Sequence, residues 1–424
     1  MIVTAVHDWH PNAVLIGSTA LLLVLIWRGG TKSTLLLVAG AALCQVPALT
    51  HAPITSTDAY RYVWDGRVQL SGSSPYTHVP LDDALAELRD PVLFPGLTPA
   101  DRTGITGPPR ADAPFDDDPR TRINRPQVPT IYPPVAQAYF TVVALLTPWS
   151  AGTFGLQFAA AAIAVALTWL LAVELKRRDR DPRWAALWGW SPIVALEAGS
   201  SAHVDVLAAL LIIAALTRRR AWLAGVLLGA AGAVKLLPLL LLPAIPRLRP
   251  KFIALGTFLA GYLPHLAVAG TLVIGFLPGY LRQEGFSDGS TRYAILALVL
   301  PPEPRQLVAV VIAAALGLLA LRRGPTAVTA CWLYGAALLL ATPTYPWYGL
   351  PLIALAVLAA RPEWVAVPIA AYLAYASAGH DVRQGLIHLA ALLIVITATT
   401  LRSHPAAPTR LISGRAARTL IRAP

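Results

Sequence analysis

Two aspartates seven residues apart, Asp58 and Asp65, stand with Arg61, Tyr62 and Trp64 in "DAYRYVWDGRVQLSGSSPY", residues 58–76, directly after an apolar run. If a helix opens at Asp58, that carboxylate is its cap or first-turn anion. Arg61 and Tyr62 then fall beside it at i+3 and i+4, and Asp65 returns to nearly the same face two turns later. Such a group at a membrane–water boundary can present a charged carboxylate while an arginine anchors an anionic partner. The alternative is a capped juxtamembrane helix whose Tyr60, Tyr62 and Trp64 form an aromatic belt. The stretch runs on into a Gly/Pro turn and Tyr76. Further on, "INRPQVPTIYPPVAQ" repeats the mixture with Arg125, Gln127, Tyr132, a double proline and Gln137. Both read as a rigid polar surface held over the bilayer.

Three other groups invite chemistry. "AGSSAHVDVLAALL" places His203 and Asp205 at the outer end of an apolar segment. An ionisable pair there is a functional site by default or an interface cap, and two residues at i, i+2 do not make a metal site. Lys235, in "GAAGAVKLLPLLLLP", is the one ionisable residue of its apolar run and one of four lysines in the chain. A buried ammonium needs an anion or water, so it snorkels to the interface or meets a phosphate, and a membrane supplies lipid phosphate at that depth. "ATPTYPWYGL" carries Trp347 and Tyr348, which suit membrane anchoring and also stacking on sugars. The acidic run "FDDDPR", residues 115–120, could bind a divalent cation or be a solvated charge run.

The elements that must position these residues are transmembrane helices. Of 424 residues 56% are hydrophobic and only 13% charged, about half the charged share of a soluble protein, and apolar stretches recur along the chain. The formal charge of +12 is gathered in short clusters between those stretches, at 176–178, 218–220, 247–251, 322–323 and in the tail from Arg402. That is the positive-inside signature of cytoplasmic loops, with the tail against anionic lipid, and it argues against nucleic acid. Cys44 and Cys331 both fall in apolar segments, so no disulfide framework or metal motif is visible.

Placing the basic clusters inside predicts two N-terminal spans within 1–50, at 12–28 and 33–50. An external segment of 51–133 follows, with 11 of the 22 acidic residues. The charge rule makes 132–149 a membrane-surface or re-entrant helix, completing an external region of 51–150. Residues 221–246 lie between two basic clusters and are too few for two crossings of roughly 20 residues each, which predicts a Pro-broken re-entrant hairpin. Within the bundle of 151–401 the remaining runs bring the total to about eleven crossings, followed by a basic cytoplasmic tail, 402–424. The expected fold class is an all-α polytopic membrane protein.

The assembly resembles the GT-C glycosyltransferases, and within them the polyprenyl-phosphate-mannose-dependent mannosyltransferases of actinobacteria. "DAYRYVWDGRVQLSGSSPY", "TIYPPVAQ", "SAHVDVLAALL", "GAVKLLPLLLLP" and "PTYPWY" carry the likeness by their order and sidedness, from residue 55 to about 350. The pair of apparent spans before Asp58 departs from the family's single span. The resemblance implies a GT-C-like fold and transfer of a sugar, mannose, from a polyprenyl-phosphate donor. The acceptor would be a glycolipid, lipoglycan or cell-envelope polysaccharide on the outer face of the cytoplasmic membrane, with inversion.

On this likeness Asp58 is the base. Asp65, Asp205 and His203 support or orient it. Lys235, Arg292 (in "GSTRYA") and Arg61 meet the donor phosphate. Tyr62, Trp64, Tyr76, Arg125, Tyr132, Gln137, Trp347 and Tyr348 line the sugar and acceptor. No nucleotide is required, in keeping with the absence of a Gly-rich phosphate loop, and no cofactor beyond a possible divalent cation is implied. Rival readings are a transporter or flippase of lipid-linked sugars, which should concentrate polar residues at mid-membrane, and a non-catalytic scaffold.

Overall fold

The structure is a computed structural model that describes residues 33–97, 118 and 120–403, with the isolated positions Gly17, Val24 and Arg28. The expected span at 12–28, most of the acidic run at 115–120 and the basic tail beyond Ser403 lie outside the described residues. Among the described residues every regular element is helical, as the apolar composition and the membrane's demand for internally satisfied backbone predict.

In chain order the main helices are α1 (Thr34–Gln45), α2 (Asp58–Leu70), α3 (Pro134–Leu146), α4 (Phe154–Arg177), α5 (Asp205–Thr217), α6 (Ala221–Gly232) and α7 (Leu248–Ala269). Then follow α8 (Leu277–Gln283), α9 (Pro302–Arg323), α10 (Ala327–Leu340), α11 (Gly349–Ala359), α12 (Ala366–Tyr375) and α13 (Asp381–Ser403). Four segments are long and apolar enough to cross a membrane: α4, α7 running on through α8, α9 and α13. A fifth forms if Pro192–Ser200 and α5, bent by 116° to each other, count as one span. The other apolar helices are 10–17 residues long, shorter than the roughly 20 residues that cross a bilayer unaided. The expected count of about eleven is therefore not recovered by helix length, because proline and glycine cut several apolar runs into short pieces.

Burial separates the interior from the lipid-facing shell. Every residue of α11 is buried, which places this helix at the centre of the bundle. By contrast α7 and α9 bury only a few small residues and turn Phe252, Leu259, Leu263, Leu307 and Leu318 outwards, the reverse of a soluble helix. The tightest seam joins α6 to α7. A Cβ at Gly225 would stand 2.5 Å from the Pro250 carbonyl oxygen, and one at Gly229 2.3 Å from that of Ala254. Only glycine allows that approach, as in the small-xxx-small packing of membrane helices.

Region 221–246 consists of α6, a tight turn at 233–236 and a 3₁₀ segment Leu237–Ala244 with Pro238 in its first turn. Helix α3 docks its start there, since the Val135 and Ala136 amides both donate to the Ala233 carbonyl.

Candidate active site

Helix α2 begins at Asp58, as its spacing predicts, but it does not lie with one face open: residues 59–68 are all buried. Its polar groups that reach the edge are Asp58 at its start and Gln69 near its end. The Asp58 carboxylate accepts from Asn124 Nδ2 on Oδ1. On Oδ2 it accepts from the Tyr132 hydroxyl at 3.3 Å and, at the limit of reach, from the Tyr62 hydroxyl at 3.5 Å. Tyr62 is held by a stack on Phe140, with centroids 4.3 Å apart, and an edge contact with Tyr132. Burial pushes both phenols well above their ordinary range and the Asp58 charge adds to the shift, so both keep their protons and donate.

Asp65 performs a different task. It is fully buried and accepts from Arg61 Nε at 2.9 Å, Thr130 Oγ1 at 2.6 Å and Gln137 Nε2 at 2.9 Å. Arg61 completes the arrangement by donating to the carbonyls of Val128 and Arg125. This network ties α2, the turn and loop of residues 125–132 and α3 together. A close approach seals it: a Cβ at Gly66 would meet the Phe140 carbonyl at 2.5 Å. The expectations that Arg61 meets phosphate and that Trp64 and Gln137 meet sugar depart from this geometry. All three side chains are buried, with Trp64 edge-on to Phe94 and Gln137 bonded to Asp65. Tyr76 is likewise internal and donates to the Tyr132 carbonyl at 2.7 Å.

A second layer comes from the sharp bend before α5. Residues 195–200 form a π-helical turn, and Ala202 takes a positive φ of 56°. The bend delivers His203 and Glu197 to Asp58. His203 is completely buried, with Nδ1 3.7 Å from Asp58 Oδ2 and Nε2 3.2 Å from Glu197 Oε2, although neither approach is aligned as a hydrogen bond. Its ring stacks on Trp347 at 4.1 Å, and Trp347 stacks in turn on Tyr345 at 4.7 Å. Glu197 accepts from Thr55 Oγ1 at 2.9 Å and from the Tyr372 hydroxyl.

Sequence reading missed Glu197, although the rule that flagged His203 and Asp205, an ionisable group in an apolar run, applies to it equally. Asn124 was missed because nothing sets it apart in a polar loop.

Lys235 is not alone, contrary to the expectation drawn from its apolar run. Its Nζ donates to Asp205 Oδ2 at 2.7 Å and lies 4.4 Å from the centre of the Tyr348 ring. The pair opens into a mostly apolar cleft of about 250 Å³. Tyr132, Leu237, Tyr280, Tyr334, Leu338 and Tyr348 are among the residues that line it. Arg292 reaches the same cleft but is heavily engaged: it bonds the Glu284 carboxylate and backbone carbonyl and the Pro343 carbonyl. Glu284, also missed in the sequence, gathers Arg292, Arg125 at 3.2 Å and the Tyr345 hydroxyl at 3.1 Å. Of the acidic run, Asp118 pairs with Arg120 at 2.6 Å.

Fold and site define an all-helical, multi-pass membrane protein with acid, histidine and lysine side chains gathered where α2, the bend before α5 and the turn after α6 meet. The chain belongs to glycosyltransferase family 87, whose sequence pattern matches residues 130–360, more than half of its length. It is a membrane glycosyltransferase of GT-C-like kind. The matched segment contains Tyr132, Glu197, His203, Asp205, Lys235, Glu284 and Arg292; Asp58 precedes it. No curated protein and no solved structure matches the chain.

Proposed function

We propose that this glycosyltransferase moves a sugar, mannose by resemblance, from a polyprenyl-phosphate donor to a glycolipid, lipoglycan or cell-envelope polysaccharide on the outer face of the cytoplasmic membrane. The observation that carries the reading is the position of Tyr132. Its hydroxyl is bonded to Asp58, while its side chain lines the apolar cleft that holds Lys235. Tyr132 thus stands between Asp58, the proposed base, and a space that is apolar enough for a lipid chain and carries the Lys235 ammonium for a phosphate.

The chemistry follows from that placement. The donor's leaving group is already a phosphate, so the enzyme must deprotonate an acceptor hydroxyl, hold it in line and stabilise the departing anion. Asp58 takes the proton as the acceptor oxygen forms its bond to the anomeric carbon. The bond from that carbon to the phosphate oxygen breaks, and its electron pair leaves with polyprenyl phosphate. Lys235 meets the departing charge with the donor positions that Asp205 leaves open, and Arg292 braces the cleft wall through Glu284. Attack on the face opposite the leaving group inverts the anomeric centre.

His203 and Glu197 back Asp58 from the protein side, and the Trp347 and Tyr345 rings keep His203 in place. Arg61, Asp65 and Gln137 hold the loop that supplies Asn124 and Tyr132. The test is a membrane assay with synthetic polyprenyl-phosphate-mannose and a panel of acceptors, followed by linkage analysis. Transfer with inversion is expected; transfer from a nucleotide sugar alone would overturn the donor assignment.

A further inference from the structure

At the far end of α5 from Asp205, about 18 Å along its thirteen residues, the bundle carries a second, partly open cavity of about 500 Å³, at whose mouth Arg218, Arg219 and Arg247 are exposed. It shares no residue with the cleft that holds Lys235. Four arginines border it, Arg178, Arg218, Arg219 and Arg247, and no acidic side chain does. Arg178 is held by Glu174 at 3.0 Å, and Arg218 donates through Nε to the Ala214 carbonyl at 3.3 Å, leaving its terminal nitrogens. Among the described residues, Arg218, Arg219 and Arg247 have no carboxylate partner. Like charges gathered without counter-charge repel, and the strained left-handed backbone of Arg247, at φ 68°, adds to what the surrounding fold must hold in place.

The walls point to the kind of counter-ion. Three helices start at the cavity, α6 at Ala221, α7 at Leu248 and α10 at Ala327; the Thr326 side chain caps the last, and the first two have no side-chain cap, so their positive ends add to the arginine field. Guanidinium groups fit phosphate oxygens in pairs, and apart from Thr326 the other lining side chains are apolar. We infer that this cavity binds a phosphate-bearing anion, the headgroup of an anionic phospholipid or free phosphate, at the end of the bundle remote from Asp58. The site is independent of the sugar-transfer reaction and of the donor assigned to it.

The experiment titrates the detergent-purified full chain with short-chain phosphatidylglycerol, phosphatidylcholine and inorganic phosphate, read by native mass spectrometry. Phosphatidylglycerol should bind and phosphatidylcholine should not. Arg219→Gln with Arg247→Gln should weaken binding by about tenfold or more, as the loss of charge-assisted contacts predicts, and Arg322→Gln outside the cavity should leave it unchanged. Inorganic phosphate that displaces the lipid identifies a soluble anion as a ligand; no displacement assigns the site to lipid. Lipid-free melting temperatures guard against misfolding, and Arg219→Lys, which keeps the charge, should retain part of the binding. Equal binding of phosphatidylcholine, undiminished binding by the double variant, or an equal loss in Arg322→Gln would overturn the site.

Discussion

Glu197 Oε2 stands 3.2 Å from His203 Nε2, and the same imidazole turns its Nδ1 towards Asp58 at 3.7 Å. Two carboxylates therefore flank one fully buried ring, and a change at Glu197 is expected to reach Asp58 through His203. Glu197→Gln keeps the shape and removes the charge. It should lower kcat by roughly tenfold to a hundredfold with little change in KM, as expected when the charge beside a buried imidazole is neutralised. Tyr372→Phe, which leaves the carboxylate but removes one donor, should fall between. Loss of fold without a kcat effect in the residual protein would make Glu197 a purely structural group.

Asp58→Asn should abolish transfer while the protein stays folded in detergent. The amide is isosteric, and the side chain sits at the rim of the buried network. Removing a general base typically costs about 10²–10⁴-fold in rate. A variant that retains more than about a tenth of the wild-type rate in the donor–acceptor assay is incompatible with Asp58 as base.

Asp65→Asn should show the opposite pattern. Three donors converge on that buried carboxylate, and breaking a buried charge pair costs about 3–5 kcal/mol, so the melting temperature should fall sharply. The fraction that remains folded should still turn over. Thermal unfolding beside activity per folded molecule separates the two aspartates; equal specific-activity losses at both would merge their roles.

Lys235 and Asp205 call for a double-mutant cycle. Lys235→Met leaves a buried carboxylate unpaired and should lower stability as well as donor use. Lys235→Met with Asp205→Asn removes both charges, which should restore much of the stability and none of the activity. Lys235→Arg should rescue donor use in part, because the charge survives while the compact geometry does not. Recovery of activity in the double variant would show that the lysine only neutralises Asp205. Donor titrations at saturating acceptor, with melting curves alongside, read all four corners.

The residues that the sequence singled out by type were those that stood out against an apolar background. Asp58, His203, Asp205, Lys235 and Tyr132 were marked by type and spacing, and the structure places them within one neighbourhood. Their partners were less visible. Asp205 and Lys235 meet because α5 and α6 pack side by side and return the chain past its own start, a pairing across thirty residues that no local period encodes. Arg61, Trp64 and Gln137 carried the same signal as Asp58 but turned inwards. Periodicity assumes that a surface helix has an open face, whereas the 125–137 segment and α3 cover α2. Crossing number suffered similarly, since apolar runs record composition while Pro and Gly decide where helices end.

The complete burial of α11 bears on how the enzyme meets bilayers of different thickness. This helix is about 16 Å long, roughly half the hydrocarbon depth, and touches protein all round, so lipid length neither stretches nor tilts it directly. Trp347 lies two residues before its start and carries the ring stack on His203. Mismatch between protein and membrane must therefore be absorbed by the outer helices α7 and α9, whose exposed leucines are free to shift against acyl chains. The aromatic stack behind Asp58 hangs from an inner axle that the lipid does not touch, and its register is set by protein packing alone.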